Sequence, residues 1–310
     1  MSEECPRVFS IQSHVVSGYV GNKSAVFPLQ VLGFEVDAIN SVQFSNHTGY
    51  PSFHGQVLNE TELDVLLKGL QENGLDKYTH LLTGYVGSPS FLRRIAALVQ
   101  HLRKVNPKLI YVLLKGGSVA VCDPVMGDNG RMYVSEELLP IYRDTILPLA
   151  DIIVPNQFEV ELLTGRNVTS VAEAWEAVQL FHDKGIKTVV LTSTGLGTDS
   201  HLLALASSTL GGTARKMSIN IPKFSATFTG TGDLFAALLL AWMHRTKGDL
   251  KSSIENVIHT MQAVLTKTMK HVEDCSQKGI ALTAAHNELK LIQSIEEMKK
   301  PLPTLLADIH

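Results

Sequence analysis

Asp151-Ile152-Ile153-Val154-Pro155-Asn156-Gln157-Phe158-Glu159 decides the architecture. Three β-branched residues in a row suit a strand, and Pro155 ends it. Asn156 with Glu159 three positions on has the spacing of a helix start with reciprocal capping. A helical pattern from Val171 to Lys184 and a second apolar run, Thr188 to Thr192, come next. Strand, helix and strand in that order are the unit of a mostly parallel sheet covered by helices.

The same alternation extends in both directions. Strands are expected at Val8 to Gln12, Phe34 to Val42, Leu81 to Tyr85, Leu109 to Leu113 or Ser118 to Cys122, Ile152 to Val154, Thr188 to Thr192 and His201 to Ala206, with Lys216 to Ile221 as an edge. Helices are expected at Glu60 to Gln71, Ser90 to Lys104, Val171 to Lys184, Thr231 to Arg245 and Leu250 to Val272. No linker rich in Pro, Gly or Ser divides the chain and no repeat is visible. Residues 1–300 therefore read as one α/β domain, and residues 301–310, with Pro301 and Pro303, as an unstructured tail.

With 45% hydrophobic and 18% charged residues in 310, the chain can build a large core. A net charge of −3 gives no basic field, which excludes nucleic acid and anionic membrane as default partners and favours small-molecule work. Cys5, Cys122 and Cys275 are scattered, without the spacing of a zinc site or disulfide framework. The first apolar run is too short for a secretion signal and no run suits a membrane span. A cytoplasmic protein is expected, so the glycosylation-like triplets at Asn22, Asn46, Asn59 and Asn167 are read as chance.

In such sheets ligands gather at the carboxyl ends of strands. Thr227-Phe228-Thr229-Gly230-Thr231-Gly232-Asp233-Leu234-Phe235-Ala236-Ala237 places two glycines at the entry to an apolar helix. Free amides and the helix dipole make a hole for a phosphoryl group in flight, and Asp233 on the first turn can take a proton from a hydroxyl. An ordinary turn with a capping aspartate is the plainer alternative. A Rossmann fingerprint fails at Phe235, and a Walker loop fails at Gly21-Asn22-Lys23-Ser24.

Three further strand ends carry oxygen ligands. Cys122-Asp123-Pro124-Val125-Met126-Gly127-Asp128 can hold magnesium on a turn, or be merely a solvated turn. Glu159 either completes a cap or holds magnesium through water. Thr192 and Ser193 suit phosphate or a monovalent cation, or an ordinary turn. Near the amino terminus Ser13 and His14, Phe44-Ser45-Asn46-His47-Thr48-Gly49-Tyr50, and Thr83-Gly84-Tyr85 would line one crevice, where rings and hydroxyls suit a flat polar heterocycle. Taken singly, each could be a buried structural residue.

These segments, together with Ile11-Gln12-Ser13-His14, Gly18-Tyr19-Val20-Gly21-Asn22, Leu82-Thr83-Gly84-Tyr85 and Pro155-Asn156-Gln157-Phe158-Glu159, resemble the pyridoxal kinases of the ribokinase-like superfamily over nearly the whole chain. The resemblance implies a three-layer α/β fold, a homodimer, and transfer of the ATP γ-phosphate to the 5′-hydroxyl of pyridoxal, pyridoxine or pyridoxamine. By position, Ser13 and Thr48 would bond the pyridine ring, with Val20, Phe44, His47 and Tyr85 around it. Asp233 would be the base, and Gly230, Thr231 and Gly232 the anion hole. Asn156, Thr192 and Ser193 would meet the ATP phosphates, and Phe224, Ser225 and Ala226 the adenosine. Asp128 and Glu159 would serve Mg2+, with Zn2+ as a substitute, and Asp123 and Thr192 a monovalent K+ or Na+.

Three departures stand out. Val154 replaces the threonine usual in the family, removing one oxygen from the monovalent site. Leu113 to Val121 intervenes as nine extra residues before Cys122-Asp123, and Ser118 to Val121 could replace Leu109 to Val112 as the buried strand. The lid segment from Asp128 to Tyr133 is short. Another ribokinase-like kinase, acting on hydroxymethylpyrimidine or a sugar, and a catalytically impaired pyridoxal-binding relative are the competing readings.

Overall fold

The computed structural model describes residues 5–106, 120–128, 130–212 and 214–310. In chain order the strands are β1 (Arg7–Val15), β2 (Glu35–Phe44), β3 (Gly55–Val57), β4 (His80–Thr83), β5 (Ala120–Cys122), β6 (Gly127–Asp128) and β7 (Arg131–Met132). They continue with β8 (Ile152–Ile153), β9 (Thr188–Thr194), β10 (His201–Ser208), β11 (Arg215–Pro222) and β12 (Asp308–Ile309). Ten of them form one sheet in the order β12-β11-β10-β9-β8-β5-β4-β1-β2-β3, while β6 and β7 pair separately as a small hairpin. From β9 to β2 every pairing is parallel; β3, β10, β11 and β12 join antiparallel.

The helices are α1 (Asn22–Val31), α2 (Glu60–Glu72), α3 (Pro89–Val105), α4 (Leu138–Ile141), α5 (Gln157–Thr164), α6 (Val171–Asp183), α7 (Thr231–Arg245), α8 (Leu250–Gln277) and α9 (Ile295–Lys299). Side chains alternate across the sheet: Phe9 and Ile11 join one core with α2, α3, α5 and α6, whereas Val8 joins the other with α1, α7 and α8. Helix, sheet and helix make the three layers. Helix α7 is buried on nearly every side from Leu234 to Met243, which explains its unbroken apolar run.

A buried polar seam fixes the start of α1 beneath the strand ends. Ser10 Oγ donates to Asn22 Oδ1 (2.7 Å), and Asn22 Nδ2 donates to the Ile39 carbonyl (2.8 Å) and Asn40 Oδ1 (2.9 Å). Three interior polar groups thereby satisfy one another, and Gly21, the residue before Asn22, is held in place.

Four expectations change. Lys216 to Ile221 lies within β11 but is not the edge, because β12 pairs outside it at Met217 and Ser218. Residues 301–310 are not loose throughout: Ala307 is buried and its amide donates to Glu255 Oε1 (2.9 Å). Of the two candidate strands before Asp123, Ala120–Cys122 fills the slot between β4 and β8; Leu109 to Leu113 falls outside the described residues. Helix α1 was not anticipated, since Gly21 precedes it and Pro28 interrupts its pattern. Among the described residues no helix is long and apolar enough to cross a membrane.

Candidate active site

The amino terminus of α7 is built by backbone that only glycine allows. Gly230 caps the helix in the left-handed region (φ 84°), and a β-carbon there would fall 2.0 Å from the Tyr19 carbonyl oxygen. Ser24 Oγ steadies the turn by donating to the Gly230 carbonyl (3.1 Å). The first amides of a helix have no intrahelical acceptor, and Thr231 and Gly232 line an open cleft.

Asp233, on that first turn, accepts a hydrogen bond at Oδ2 from the Gly21 amide (2.8 Å). Burial pushes its carboxyl up to about 6, with the Gly21 amide pulling the other way. Gly21 in turn is pressed onto Ser13: a β-carbon at Gly21 would lie 2.0 Å from the Ser13 carbonyl oxygen and 2.4 Å from its Oγ. Ser13, at the end of β1, and Asp233, at the start of α7, therefore sit on either side of one glycine.

The cleft beside them has a cavity volume of about 820 Å³, enough for a nucleotide. Thr192, Ser193, Phe224, Ala226, Thr231 and Gly232 contribute to its walls, as the sequence suggested, and Asp128 stands on the β6 side. Ser225 is exposed and is not part of the lining. Sequence reasoning missed the far wall, where α8 supplies Ile258, Met261, Gln262 and Leu265; these residues belong to a long amphipathic pattern with no local motif.

Three carboxyls converge beneath the α7 amino terminus. Asp123, directly after β5, has Oδ2 3.4 Å from the position of a β-carbon on Gly232. Burial, then the charges of Glu159 and Asp233, push Asp123 well above the usual carboxylate range. Glu159 is buried and pushed up to about 7 by that burial, against the amides it accepts from: Met126 to Oε1 (2.9 Å) and Asn156 to Oε2 (2.9 Å). Asn156 returns the cap, its Oδ1 accepting from the Glu159 amide (3.0 Å), and its Nδ2 donates to the Gly127 carbonyl of β6 (2.8 Å). The capping alternative for Asn156 and Glu159 is thus realised, and neither residue lines the cavity.

Among the described residues no group of three or more His, Cys, Asp and Glu side chains is arranged to hold a metal ion. The donors nevertheless suit a hard cation, which takes oxygen ligands and shares them with bound phosphates. Asp123, raised by burial and then by its acidic neighbours, is a group that an added cation would relieve. Val154 is buried and apolar, so a monovalent cation beside Asp123 would find no side-chain oxygen at that position.

On the other side of Asp233 the loop after β2 packs toward the α7 entrance. His47 is buried, the Gly49 amide donates to its Nδ1 (3.1 Å), and a β-carbon at Gly49 would lie 3.9 Å from Thr229 Oγ1. Thr48 is exposed, Val20 is buried, and Phe44 tilts against Phe53 with ring centres 5.1 Å apart. Tyr85 is part-buried after β4, its carbonyl accepting from Ser41 Oγ (2.8 Å). The expected ring-binding residues come from β1, β2 and β4 and the loops after them.

Residues 100–278 match the family model described as Phosphomethylpyrimidine kinase. The pyridoxal kinase of Ovis aries is 48% identical, the alignment covering 97% of this chain and 97% of that one. The chain belongs to the pyridoxal kinase family. Within the family, the Arabidopsis thaliana pyridoxal kinase is also 48% identical, over 97% of this chain and 94% of its own. The solved pyridoxal kinase of Leishmania donovani, in complex with ADP and pyridoxine, superposes with a TM-score of 0.88 at 36% identity, covering 98% and 99% of the two chains. The three-layer ribokinase-like fold and the kinase class expected for a pyridoxal kinase both hold.

Proposed function

We propose that this kinase transfers the γ-phosphoryl group of ATP to the 5′-hydroxyl of pyridoxal, pyridoxine or pyridoxamine, with Asp233 as the general base. The observation that supports this reading is the adjacency of Ser13, Gly21 and Asp233, with Gly232, the residue before Asp233, at the wall of the cleft. The hydroxyl oxygen attacks the γ-phosphorus, its proton passes to Asp233, and the bond to the β,γ-bridging oxygen breaks to release ADP. Charge building on the transferring group is received by the amides of Gly230, Thr231 and Gly232. A carboxyl near 6 is ionised at neutral pH yet basic enough to share a proton.

Ser13 and Thr48 bond the pyridine ring, while Val20, Phe44, His47 and Tyr85 enclose it. Thr192 and Ser193 meet the phosphates, and Phe224 and Ala226 the adenosine, because they line the cavity. Asn156 would reach a phosphate only by giving up Gly127, and Ser225 would have to turn inward. Asp128, with Glu159 acting through water, would hold Mg2+ or Zn2+, which neutralises phosphate charge when bound. Asp123 and Thr192 remain for K+ or Na+, one oxygen short at Val154. A cytosolic homodimer belongs to the same proposal.

The impaired-relative alternative loses its motive, since Asp123 lies beside Gly232 despite the extra residues before it. Phosphorylation of pyridoxal, hydroxymethylpyrimidine and ribose with magnesium ATP should give the highest kcat/KM for pyridoxal. A higher value for either competitor overturns the assignment, as does tight pyridoxal binding with no product.

A further inference from the structure

Glu288 lies outside every motif discussed above and touches two of them. It follows the short turn Ala284–Asn287 and precedes Leu289 and Leu291, both buried in the core with α7 and α8. The Lys290 amide donates to Thr268 Oγ1 of α8 (3.1 Å), so this segment is anchored to the scaffold. The Glu288 carboxylate, with its side chain only 12% exposed, accepts at Oε2 from the Tyr19 amide (2.8 Å) and at Oε1 from the Tyr50 hydroxyl (2.9 Å). His47 Nε2 stands 3.4 Å from Oε1. A β-carbon at Gly18 (φ 95°) would fall 2.2 Å from Oε1, so the turn after β1 is pressed against the same group.

The donors are arranged for an ionised acceptor. Because the Gly49 amide donates to His47 Nδ1, that nitrogen carries no proton, and the ring N–H is Nε2, on the side of Glu288. Burial would raise the Glu288 carboxyl, but the donors from His47, the Tyr19 amide and Tyr50 outweigh it and hold it below its usual range. Two residues after Tyr19 comes Gly21, whose amide holds Asp233, and the Tyr19 carbonyl is the group that abuts Gly230. One carboxylate thus ties the loop carrying His47 and Thr48 to the turn that orients the base. None of its partners lines the nucleotide cavity.

We infer that Glu288 is a positioning residue for the vitamer, a clamp from the carboxy-terminal segment that holds the two walls of the ring pocket in register with Asp233. The inference rests on the vitamer assignment made above. Its test uses the full chain with Glu288→Ala, Glu288→Gln and Tyr50→Phe, read by steady-state kinetics for both substrates, pyridoxal binding by calorimetry, and thermal melting.

Glu288→Ala should raise the KM for pyridoxal about 10- to 100-fold and leave the KM for ATP within about twofold, as expected for hydrogen bonds to a charged group that serve one substrate. Glu288→Gln keeps an acceptor and should recover most of the loss. Tyr50→Phe, which removes one donor and leaves no large cavity, should raise the pyridoxal KM several-fold and keeps the test open if the alanine variant does not fold. Unchanged pyridoxal KM and binding in these variants overturn the clamp, and so does a parallel rise in both KM values with a fall in melting temperature. A wild-type chain that does not bind pyridoxal removes the parent assignment as well; one that binds it, with Glu288→Ala binding equally well, removes the clamp alone.

Discussion

Asp233 combines two demands that pull in opposite directions. Its burial beside the Gly21 amide suits it to the proposed role of base, and the same burial makes its charge costly to the fold. Asp233→Asn should lower kcat by about 10²- to 10⁴-fold while sparing most pyridoxal binding, measured by a coupled assay and calorimetry. In the wild type, kcat/KM for pyridoxal should fall about tenfold per pH unit below pH about 6, where the base becomes protonated. The stability effect has the opposite sign. A carboxyl whose folded pKa is raised destabilises the fold when ionised, fully above pH about 6 and not at all below the unfolded value near 4. The asparagine variant should therefore be more stable than wild type by about 1–3 kcal/mol at pH 7.5, the gap closing between pH about 6 and about 4 in denaturant titrations. A gap independent of pH would show that the charge is not what the fold resists. The aspartate itself was legible in Gly230-Thr231-Gly232-Asp233, because helix entry is a local signal. Its partner was not, since Gly21 lies 212 residues earlier and a backbone amide leaves no mark on sequence.

Elements were legible where their ends are written in side chains. The Asn156 and Glu159 cap follows a proline and needs no distant partner, and it forms as the spacing suggests. What spacing could not show is that Asn156 also grips β6, so that one residue caps α5 and holds the hairpin bearing Asp128. Asn156→Ala should cost about 1 kcal/mol for the cap and raise the KM for ATP several-fold through the freed hairpin, checked by denaturation and steady-state kinetics. Loss of stability with no change in that KM would confine Asn156 to its helix. The strand before Asp123 shows the reverse case. Leu109 to Leu113 and Ser118 to Cys122 are both short, apolar and partly β-branched, and nothing within either run distinguishes them. Pairing decides: Ala120, Val121 and Cys122 meet Leu81, Leu82 and Thr83 on one side, and Val121 and Cys122 meet Ile152 and Ile153 on the other.

At the scale of the molecule, the parallel middle of the sheet could be read from alternation alone because each strand and following helix is a local unit. The edge could not. Its last strand comes from Asp308 and Ile309, reached after Pro301 and Pro303, and two residues carry too little pattern to announce a ladder. The tail nonetheless contacts α8, the helix that supplies the far wall of the cavity. The Ala307 amide donates to Glu255, which also pairs with Lys251, and His310 adds its amide to the Lys216 carbonyl and its ring to Ser218 Oγ (2.8 Å). Glu255 lies on α8 one turn before Ile258 and two before Met261 and Gln262, all of which line the cleft. Removing residues 304–310 would leave Glu255 without the Ala307 amide and expose the β11 edge, at a cost of about 1.5–3 kcal/mol for the hydrogen bond to a charged group. Because α8 supplies Ile258, Met261, Gln262 and Leu265 to the wall of the cavity proposed for the nucleotide, the KM for ATP should rise several-fold while that for pyridoxal stays within about twofold. A melting temperature and an ATP KM both equal to those of the intact chain would mean that the wall stands without the tail.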